Sequence, residues 1–153
     1  MAVHDAAARL GIEGVRYRGL DLSRRMLDAT EEWGRTVGAD LAVVQADALA
    51  VPGCLPGDWR DFGLLVSAGM FEYLPRESFR PVLAALRGLM ADGAMIQAFV
   101  SRDTPFNRLL IGGYWKADVY GRDELARTFA DAGFRDVRVE AFAGWGCAVT
   151  ALR

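Results

Sequence analysis

The sequence is poor in the residues that metal sites, disulfide frameworks and hydrolytic active sites require. It has one histidine, His4, and two cysteines, Cys54 and Cys147. A Ser-His-Asp or Cys-His mechanism would have to use that histidine at the start of the chain, so a hydrolase is disfavoured. The two cysteines match neither zinc-ligand spacing nor a disulfide framework. We therefore expect no metal, buried thiols and a cytoplasmic location.

The sequence also lacks a long hydrophobic run and a cluster of basic residues. No apolar stretch approaches the ~20 residues that a membrane-spanning helix needs, and the first residues have no signal-peptide pattern. The net charge is −2, from 18 basic and 20 acidic side chains, and the basic residues are scattered. A nucleic acid or a membrane is therefore not expected as a partner.

Short apolar runs alternate with amphipathic stretches along the whole chain. The spacing predicts strands over residues 15–22, 41–45, 62–68, 94–100, 137–142 and 145–152, and helices over residues 4–10, 23–37, 77–90 and 122–132. Because strands and helices alternate, we expect an α/β fold with a mostly parallel sheet and helices on both faces. The last two strands have no helix between them, which indicates a C-terminal antiparallel hairpin. No repeat or linker interrupts the pattern, so we expect a single domain over residues 1–153.

Two acidic residues follow predicted strands in the first part of the sequence. Asp21 ends the strand at residues 15–22, and Asp47 follows the next strand. In an open α/β sheet, ligands bind outside the carboxyl ends of the strands, where a carboxylate accepts hydrogen bonds from ribose hydroxyls. Asp47, beside the backbone N–H of Ala48, offers the acceptor and the donor that an adenine edge needs. The alternative role for Asp21 is to cap the following helix beside Ser23.

The segment after the strand at residues 62–68 is a second candidate site. That strand is apolar throughout, which is typical of a strand covered on both faces. Small residues at its end allow a ligand to approach the backbone, and Phe71 and Tyr73 suit either the wall of a pocket or a core. Glu72 is the best-placed acid for a general base, with a helix-start carboxylate as the alternative.

The stretch at residues 101–120 has no clean periodicity and is rich in aromatic residues, including Tyr114 and Trp115. Long irregular segments in compact domains are usually lids or binding loops. Two interpretations remain open: a lid that closes over a small organic substrate, or a set of rings that covers the last helix.

Five stretches of the sequence, taken in order, resemble the class I S-adenosylmethionine-dependent methyltransferases. They are residues 17–29, 44–48, 61–75, 89–96 and 120–137, and the similarity extends from about Gly11 to the C-terminus. They are similar to the family's second-strand motif, its adenine-contacting motif, its fourth-strand motif, the helix-turn-strand after it and the closing helix. The resemblance implies a Rossmann-like fold and transfer of the sulfonium methyl group of S-adenosylmethionine to an acceptor.

The resemblance also implies roles for individual residues. The expected cofactor residues are Asp21, Leu22, Asp47, Ala48 and Ser67. The expected substrate residues are Met70, Phe71, Tyr73, Tyr114 and Trp115, with Glu72 as the catalytic candidate. The sequence around these residues lacks an Asn/Asp-Pro-Pro-Tyr motif, which counts against methylation of base or amide nitrogens. We therefore expect a small-molecule acceptor, without a preference for methylation of oxygen, nitrogen or carbon.

One part of the family pattern is absent from the sequence. Members begin with a strand and a Gly-rich loop, and that strand would lie centrally, between those at residues 15–22 and 62–68. We therefore expect an N-terminally truncated methyltransferase domain without its central first strand. The main alternative is an inactive methyltransferase-like module that acts by association, its gap filled by a partner's strand or by a homo-oligomer. A lesser alternative is an NAD(P)-dependent oxidoreductase, which would predict a parallel sixth strand.

Overall fold

Helices and strands alternate through the part of the chain that the computed structural model describes, residues 2–115, 117–144 and 146–153. These elements fall into two compact units, residues 1–50 and 51–153. The expectation of a single domain stays a prediction. Each unit is built around parallel strand pairing, and the antiparallel hairpin belongs to the second unit.

The first unit contains two parallel strands and two helices. In chain order these are α1 (Ala2–Arg9), β1 (Arg16–Asp21), α2 (Arg24–Val37) and β2 (Asp40–Gln45). The two strands pair in register from Arg16 opposite Asp40 to Asp21 opposite Gln45. Because the pairing is parallel, the carboxyl ends of both strands lie at the same edge of this small sheet.

Local capping residues set both ends of α2. Ser23 precedes the helix, and its Oγ accepts a hydrogen bond from the backbone N–H of Met26 at 3.4 Å. Gly38 follows the helix with a φ of +67°, and its backbone N–H donates to the carbonyl of Arg35. A Ser at the first cap and a left-handed Gly at the last are the residues that each position favours. The predicted beginning and end of this helix are confirmed.

The buried face of α2 differs from the face that the sequence indicates. The spacing of Met26, Thr30, Trp33 and Val37 predicts that they share one face of the helix. The structure instead buries Leu27 and Gly34, and it leaves Met26 and Val37 exposed. Gly34 is buried because α2 lies against β2 there: a Cβ on Gly34 would lie 2.6 Å from Leu41 Cδ2. The absence of a side chain at Gly34 allows the backbone of α2 to lie close to Leu41 of β2.

The second unit contains a four-stranded sheet. Its elements in chain order are β3 (Phe62–Ala68), α3 (Arg76–Gly88), β4 (Met90–Ser101), α4 (Pro105–Asn107), a π-helix (Arg108–Trp115), α5 (Arg122–Asp131), β5 (Arg135–Phe142) and β6 (Gly146–Leu152). The strand order is β3-β4-β6-β5, parallel between β3 and β4 and antiparallel in the other two pairs. The predicted C-terminal hairpin is confirmed, although Trp145, expected in its second strand, lies outside the described residues.

The core of the second unit lies between the sheet and the helices α3 and α5. One face of β4 and β6 is buried through alternate residues, Ile96, Ala98, Val100, Cys147, Val149 and Ala151. Four buried rings add an aromatic cluster, Phe71, Phe79, Tyr120 and Phe129, with centroids 4.5 to 6.3 Å apart between neighbours. Such edge-to-face and offset contacts add stabilisation beyond the apolar area that is buried.

The expectation that β3 is covered on both faces is wrong. Leu64 is 42% exposed and Val66 is 46% exposed, and Met95, opposite Leu64 in the register, is also exposed. Residues two apart in a strand share one face. The face of β3 that carries Leu64 and Val66 is therefore not buried, and β3 is also the edge strand of its sheet. Among the described residues, β3 pairs only with β4 and β1 only with β2, so each leaves one edge unpaired.

A glycine-to-valine pair of variants tests the close contact between α2 and β2. We expect Gly34→Val to lower the free energy of unfolding by roughly 1–3 kcal/mol, because its side chain must displace Leu41. Gly88→Val is the matched control, since Gly88 is also helical and a Cβ there would meet nothing within 4 Å. Urea unfolding followed by circular dichroism measures both, and equal effects would contradict the contact.

The buried hydroxyl of Tyr120 generates a pH-dependent prediction. Its Oη has no partner among the described residues. Burial raises the pKa of Tyr120 to about 12, Asp118, Glu124 and Glu72 add to the rise, and Arg76 opposes it. In the unfolded chain a tyrosine has a pKa of about 10. The folded state therefore keeps a proton that the unfolded state releases, so the stability present below pH 10 falls as the pH rises towards 12.

We expect Tyr120→Phe to lose less stability than the wild type between pH 10 and about pH 12. At pH 7 its free energy of unfolding should equal or exceed that of the wild type, because an unpartnered hydroxyl is removed from the core. Tyr73→Phe is the control, since the Tyr73 ring is largely exposed. Denaturant unfolding at pH 7, 10 and 11.5 measures the three proteins. Parallel pH curves for all three would contradict the assignment.

Candidate functional site

The carboxyl ends of β1 and β2 bring two predicted cofactor residues to one edge of the first unit. Asp21 is the last residue of β1, opposite Gln45, and the backbone N–H of Ala46 donates to its carbonyl at 3.2 Å. Asp47 directly follows Ala46. The side chain of Gln45 donates to the carbonyl of Leu22 at 3.0 Å, which ties the two strand ends together. Both carboxylates therefore occupy the position at which open α/β sheets bind ligands.

The Asp21 carboxylate is only partly engaged by the protein. The backbone N–H of Ser23 donates to Asp21 Oδ1 at 2.7 Å. The cap of α2 is Ser23 rather than Asp21. Asp21 Oδ2 accepts no hydrogen bond from a described residue, and the side chain is half-buried. One oxygen thus fixes the orientation of the carboxylate, and the other retains its capacity to accept hydrogen bonds from a ligand.

Apolar side chains flank these two acids. Leu22, directly after Asp21, is 68% exposed, and Leu49 is also exposed. The backbone N–H of Leu49 donates to Asp47 Oδ1 at 2.9 Å, in the short 3₁₀ turn Ala48–Ala50, whose first residue Ala48 is buried. Leu49 was missed by sequence reasoning. Its only sequence signal is its place two residues after an acid that follows a strand.

The carboxyl ends of β3 and β4 carry a group of buried polar side chains in the second unit. Ser67 lies at the end of β3 and Ser101 is the last residue of β4. Glu72 lies in the 3₁₀ turn Phe71–Tyr73 and is 7% exposed. Ser101 Oγ donates to Glu72 Oε1 at 2.8 Å, a contact across 29 positions of sequence. Ser101 was not singled out in the sequence, where it is one small residue at a predicted strand end.

Two polar atoms of this group have no partner among the described residues. They are Glu72 Oε2 and Ser67 Oγ, and both are buried. The Glu72 backbone is itself anchored, because its carbonyl accepts from the N–H of Asp118 at 2.7 Å. Arg76 pairs with Asp118 and Glu124, so it does not neutralise Glu72 through an ion pair. A buried carboxyl with half its acceptors unused is costly to fold and points to a bound partner.

The predicted substrate residues lie in different environments. Phe71 is fully buried, and its ring stacks on Phe79 with centroids 4.5 Å apart, so this ring belongs to the core. Tyr73 is largely exposed and Met70 is half-buried. Phe71 therefore lies in the core, whereas the role of Tyr73 in the wall of a pocket stays a prediction.

The stretch at residues 101–120 is more regular than expected. Asn107 anchors it: its Nδ2 donates to the carbonyl of Arg102 at 2.6 Å, and its backbone N–H donates to Thr104 Oγ1 at 3.1 Å. In the π-helix that follows, Ile111 is buried, whereas Tyr114 is 78% exposed. Trp115, Phe106 and Leu109 are exposed as well. An anchored segment with an outward apolar face has the form of a lid or a docking element.

The predicted site residues belong to both units. Asp21, Leu22, Asp47 and Ala48 are in the first unit, while Ser67, Met70, Glu72 and the aromatic residues are in the second. Within the described residues, no group of three histidine, cysteine or acidic side chains could hold a metal ion. No described helix is long and apolar enough to cross a membrane.

Comparison with solved structures finds methyltransferases. A proposed O-methyltransferase from Nostoc punctiforme is 13% identical over 99% of this chain and 48% of its own, with a TM-score of 0.74. PigF, solved with SAH, is 18% identical over 99% of this chain and 47% of its own, with a TM-score of 0.74. The CMeT domain of the citrinin polyketide synthase is 12% identical over 99% of this chain and 42% of its own, with a TM-score of 0.76.

The chain spans about half the length of these solved structures. No protein-family model matches its sequence, and no curated protein matches it significantly. The likeness therefore rests on the arrangement of helices and strands, including the antiparallel pair of β5 and β6 after the parallel strands. The chain has the fold of the class I S-adenosylmethionine-dependent methyltransferases.

Proposed function

We propose that this chain catalyses the transfer of a methyl group from S-adenosylmethionine to a small-molecule acceptor. The observation that carries the proposal is the pair of acids, Asp21 and Asp47, at the carboxyl ends of adjacent parallel strands in a chain with this fold. An acid at this position binds the ribose of a nucleotide cofactor. A methyltransferase also needs no histidine, since it depends mainly on alignment of the acceptor with the methyl group.

Residues at the strand ends of the first unit fit the adenosine part of the cofactor. In the first unit, Asp21 offers a free Oδ2 to ribose hydroxyls, and Asp47 with the adjoining backbone serves the adenine, flanked by the exposed Leu22 and Leu49. In the second unit, Ser67 Oγ is a buried polar atom without a partner among the described residues, and its expected role beside a methionine group stays a proposal. When bound, S-adenosylmethionine supplies an electrophilic methyl group.

The second unit would provide the acceptor residues. One carboxylate oxygen of Glu72 has no partner among the described residues, which suits a base that takes a proton from the acceptor. Met70, Tyr73, Tyr114 and Trp115 offer accessible apolar surface for the body of the acceptor. Phe71 would act from the core, by holding the turn in which Glu72 lies.

A module that acts by association is the second candidate, and one observation favours it. The edge of β3 is unpaired among the described residues, and Leu64 and Val66 are exposed along it. An uncharged, apolar edge strand is a template for another strand. The NAD(P)-dependent oxidoreductase has no such support, because the last strand pairs antiparallel where that hypothesis predicts a parallel strand.

Calorimetric titration with S-adenosylhomocysteine tests the proposal directly. We expect binding with micromolar affinity, and Asp21→Asn should weaken it roughly 10- to 100-fold because the amide nitrogen cannot accept a ribose hydrogen bond. The variant keeps an oxygen for the Ser23 N–H, and the cap of α2, which Ser23 Oγ provides, is unchanged. Asp28→Asn is the control, since Asp28 is exposed on α2 and pairs only with Arg24.

Absence of heat with the wild-type chain, together with concentration-dependent assembly in gel filtration, would overturn the proposal in favour of the association module. Equal losses of affinity in Asp21→Asn and Asp28→Asn would overturn the assignment of Asp21 while leaving cofactor binding in place.

A further inference from the structure

The second unit holds an unusual concentration of buried polarity at one edge of its sheet. Four polar or charged side chains are buried among the described residues, namely Ser67, Glu72, Ser101 and Asn107. The Asn107 amide donates to the Arg102 carbonyl, and its role is to anchor the following segment. The other three lie at or just after the carboxyl ends of β3 and β4. Hydrophobic packing does not account for three polar side chains at this position, because burial of a polar group costs free energy unless the group is hydrogen-bonded.

Two contacts fix the backbone of Ser101 independently of Glu72. It pairs with Gly146 of β6 in the antiparallel register, and its carbonyl accepts from the backbone N–H of Tyr120 at 3.1 Å. Its Oγ therefore projects from a fixed backbone. That hydroxyl donates to Glu72 Oε1 at 2.8 Å. A donor on a rigid strand restricts the rotation of the carboxylate that accepts from it.

The two oxygens of the Glu72 carboxylate therefore differ: one accepts a hydrogen bond, and the other is buried without a partner among the described residues. Oε1 is occupied by Ser101, and the Glu72 backbone is held by Asp118. Oε2 is buried and has no partner among the described residues. A carboxylate oxygen accepts hydrogen bonds and donates none when it is ionised. The group that completes this site must therefore bring its own proton.

We infer that Ser101 is a positioning residue that aims Glu72 Oε2 at an O–H or N–H group of the methyl acceptor. The inference rests on the proposed function and deepens it, because it selects hydroxyl and amine acceptors over ethers and other acceptors without such a proton. In the step, the O–H or N–H bond breaks and the proton forms a bond to Glu72 Oε2. The electron pair stays on the acceptor heteroatom, and the Glu72 side chain becomes neutral.

Three matched probes test the proton requirement without relying on turnover. We use 2-naphthol, 2-naphthylamine and 2-methoxynaphthalene, which share one apolar body and differ in the proton-bearing group. Affinities are measured by ligand-observed NMR on the full chain. We expect the alcohol, the amine or both to bind roughly tenfold or more tightly than the ether, because a hydrogen bond to a charged oxygen is lost with the ether. The separate arms show whether oxygen or nitrogen is preferred.

Two substitutions of Glu72 and Ser101 test the geometry. Glu72→Gln keeps an oxygen for Ser101 and replaces Oε2 with an amide that donates, so the preference for the alcohol over the ether should disappear or reverse. Ser101→Ala removes the hydrogen bond that orients the Glu72 carboxylate, so the ratio of the affinities for the alcohol and the ether should fall severalfold. Ser101→Thr keeps a hydroxyl at this position, so that ratio should stay close to the wild-type value. Ser78→Ala, in α3, is the matched control and should leave the preference unchanged.

Thermal unfolding of the same proteins separates positioning from a structural role. If Ser101 only stabilises the fold, Ser101→Ala lowers the melting temperature and leaves the ratio of probe affinities unchanged, which would overturn the inference. Equal binding of the three probes, or no binding of any, would overturn it as well. The titration with S-adenosylhomocysteine is independent of these probes. If S-adenosylhomocysteine does not bind, the proposed function is overturned. If it binds but the probes show no preference for the alcohol or the amine, only the role of Ser101 and Glu72 is overturned.

Discussion

Parallel hydrogen bonding between β3 and β4 is the constraint on which the second unit depends. The ladder runs from Leu64 opposite Met95 to Ala68 opposite Phe99, and the Gly69 N–H extends it by donating to the Phe99 carbonyl at 3.1 Å. Parallel strands end at the same edge of a sheet, so the segment after β3 meets the end of β4. The contact between Ser101 and Glu72 follows from that register, and a shift of one residue would turn Ser101 to the other face.

The turn after β3 sends three consecutive side chains into three environments. Phe71 enters the aromatic core, Glu72 enters the buried polar group and Tyr73 faces outward. A 3₁₀ turn has three residues per turn, so successive side chains point about 120° apart. This geometry allows an acid to be buried beside a packed ring, since the ring stabilises the turn that carries the acid. The unsatisfied Glu72 Oε2 is thus held in place by stabilising contacts of its neighbours.

Much of the fold follows from patterns that act over a few residues. Ser23 and Gly38 set the ends of α2 through contacts within four positions, and apolar runs mark β2, β3 and β4. Exposure was harder to predict. Val66 lies in an apolar run that suggests burial on both faces, yet its side chain is 46% exposed, because the residues of a strand do not determine whether another element packs on each of its faces. The same limit applies to Met26, whose periodic spacing indicates a face but does not decide what covers it.

The sequence by itself determined the order of the elements and the placement of Asp21 and Asp47 at strand ends, because strand propensity, helix caps and turns depend on neighbouring residues. Only the tertiary structure decided that Ser101 donates to Glu72 and that one carboxylate oxygen has no described partner. The physical reason is distance along the chain. Groups 29 positions apart meet through strand register and the packing of whole elements, and neither is encoded in the residues around Ser101.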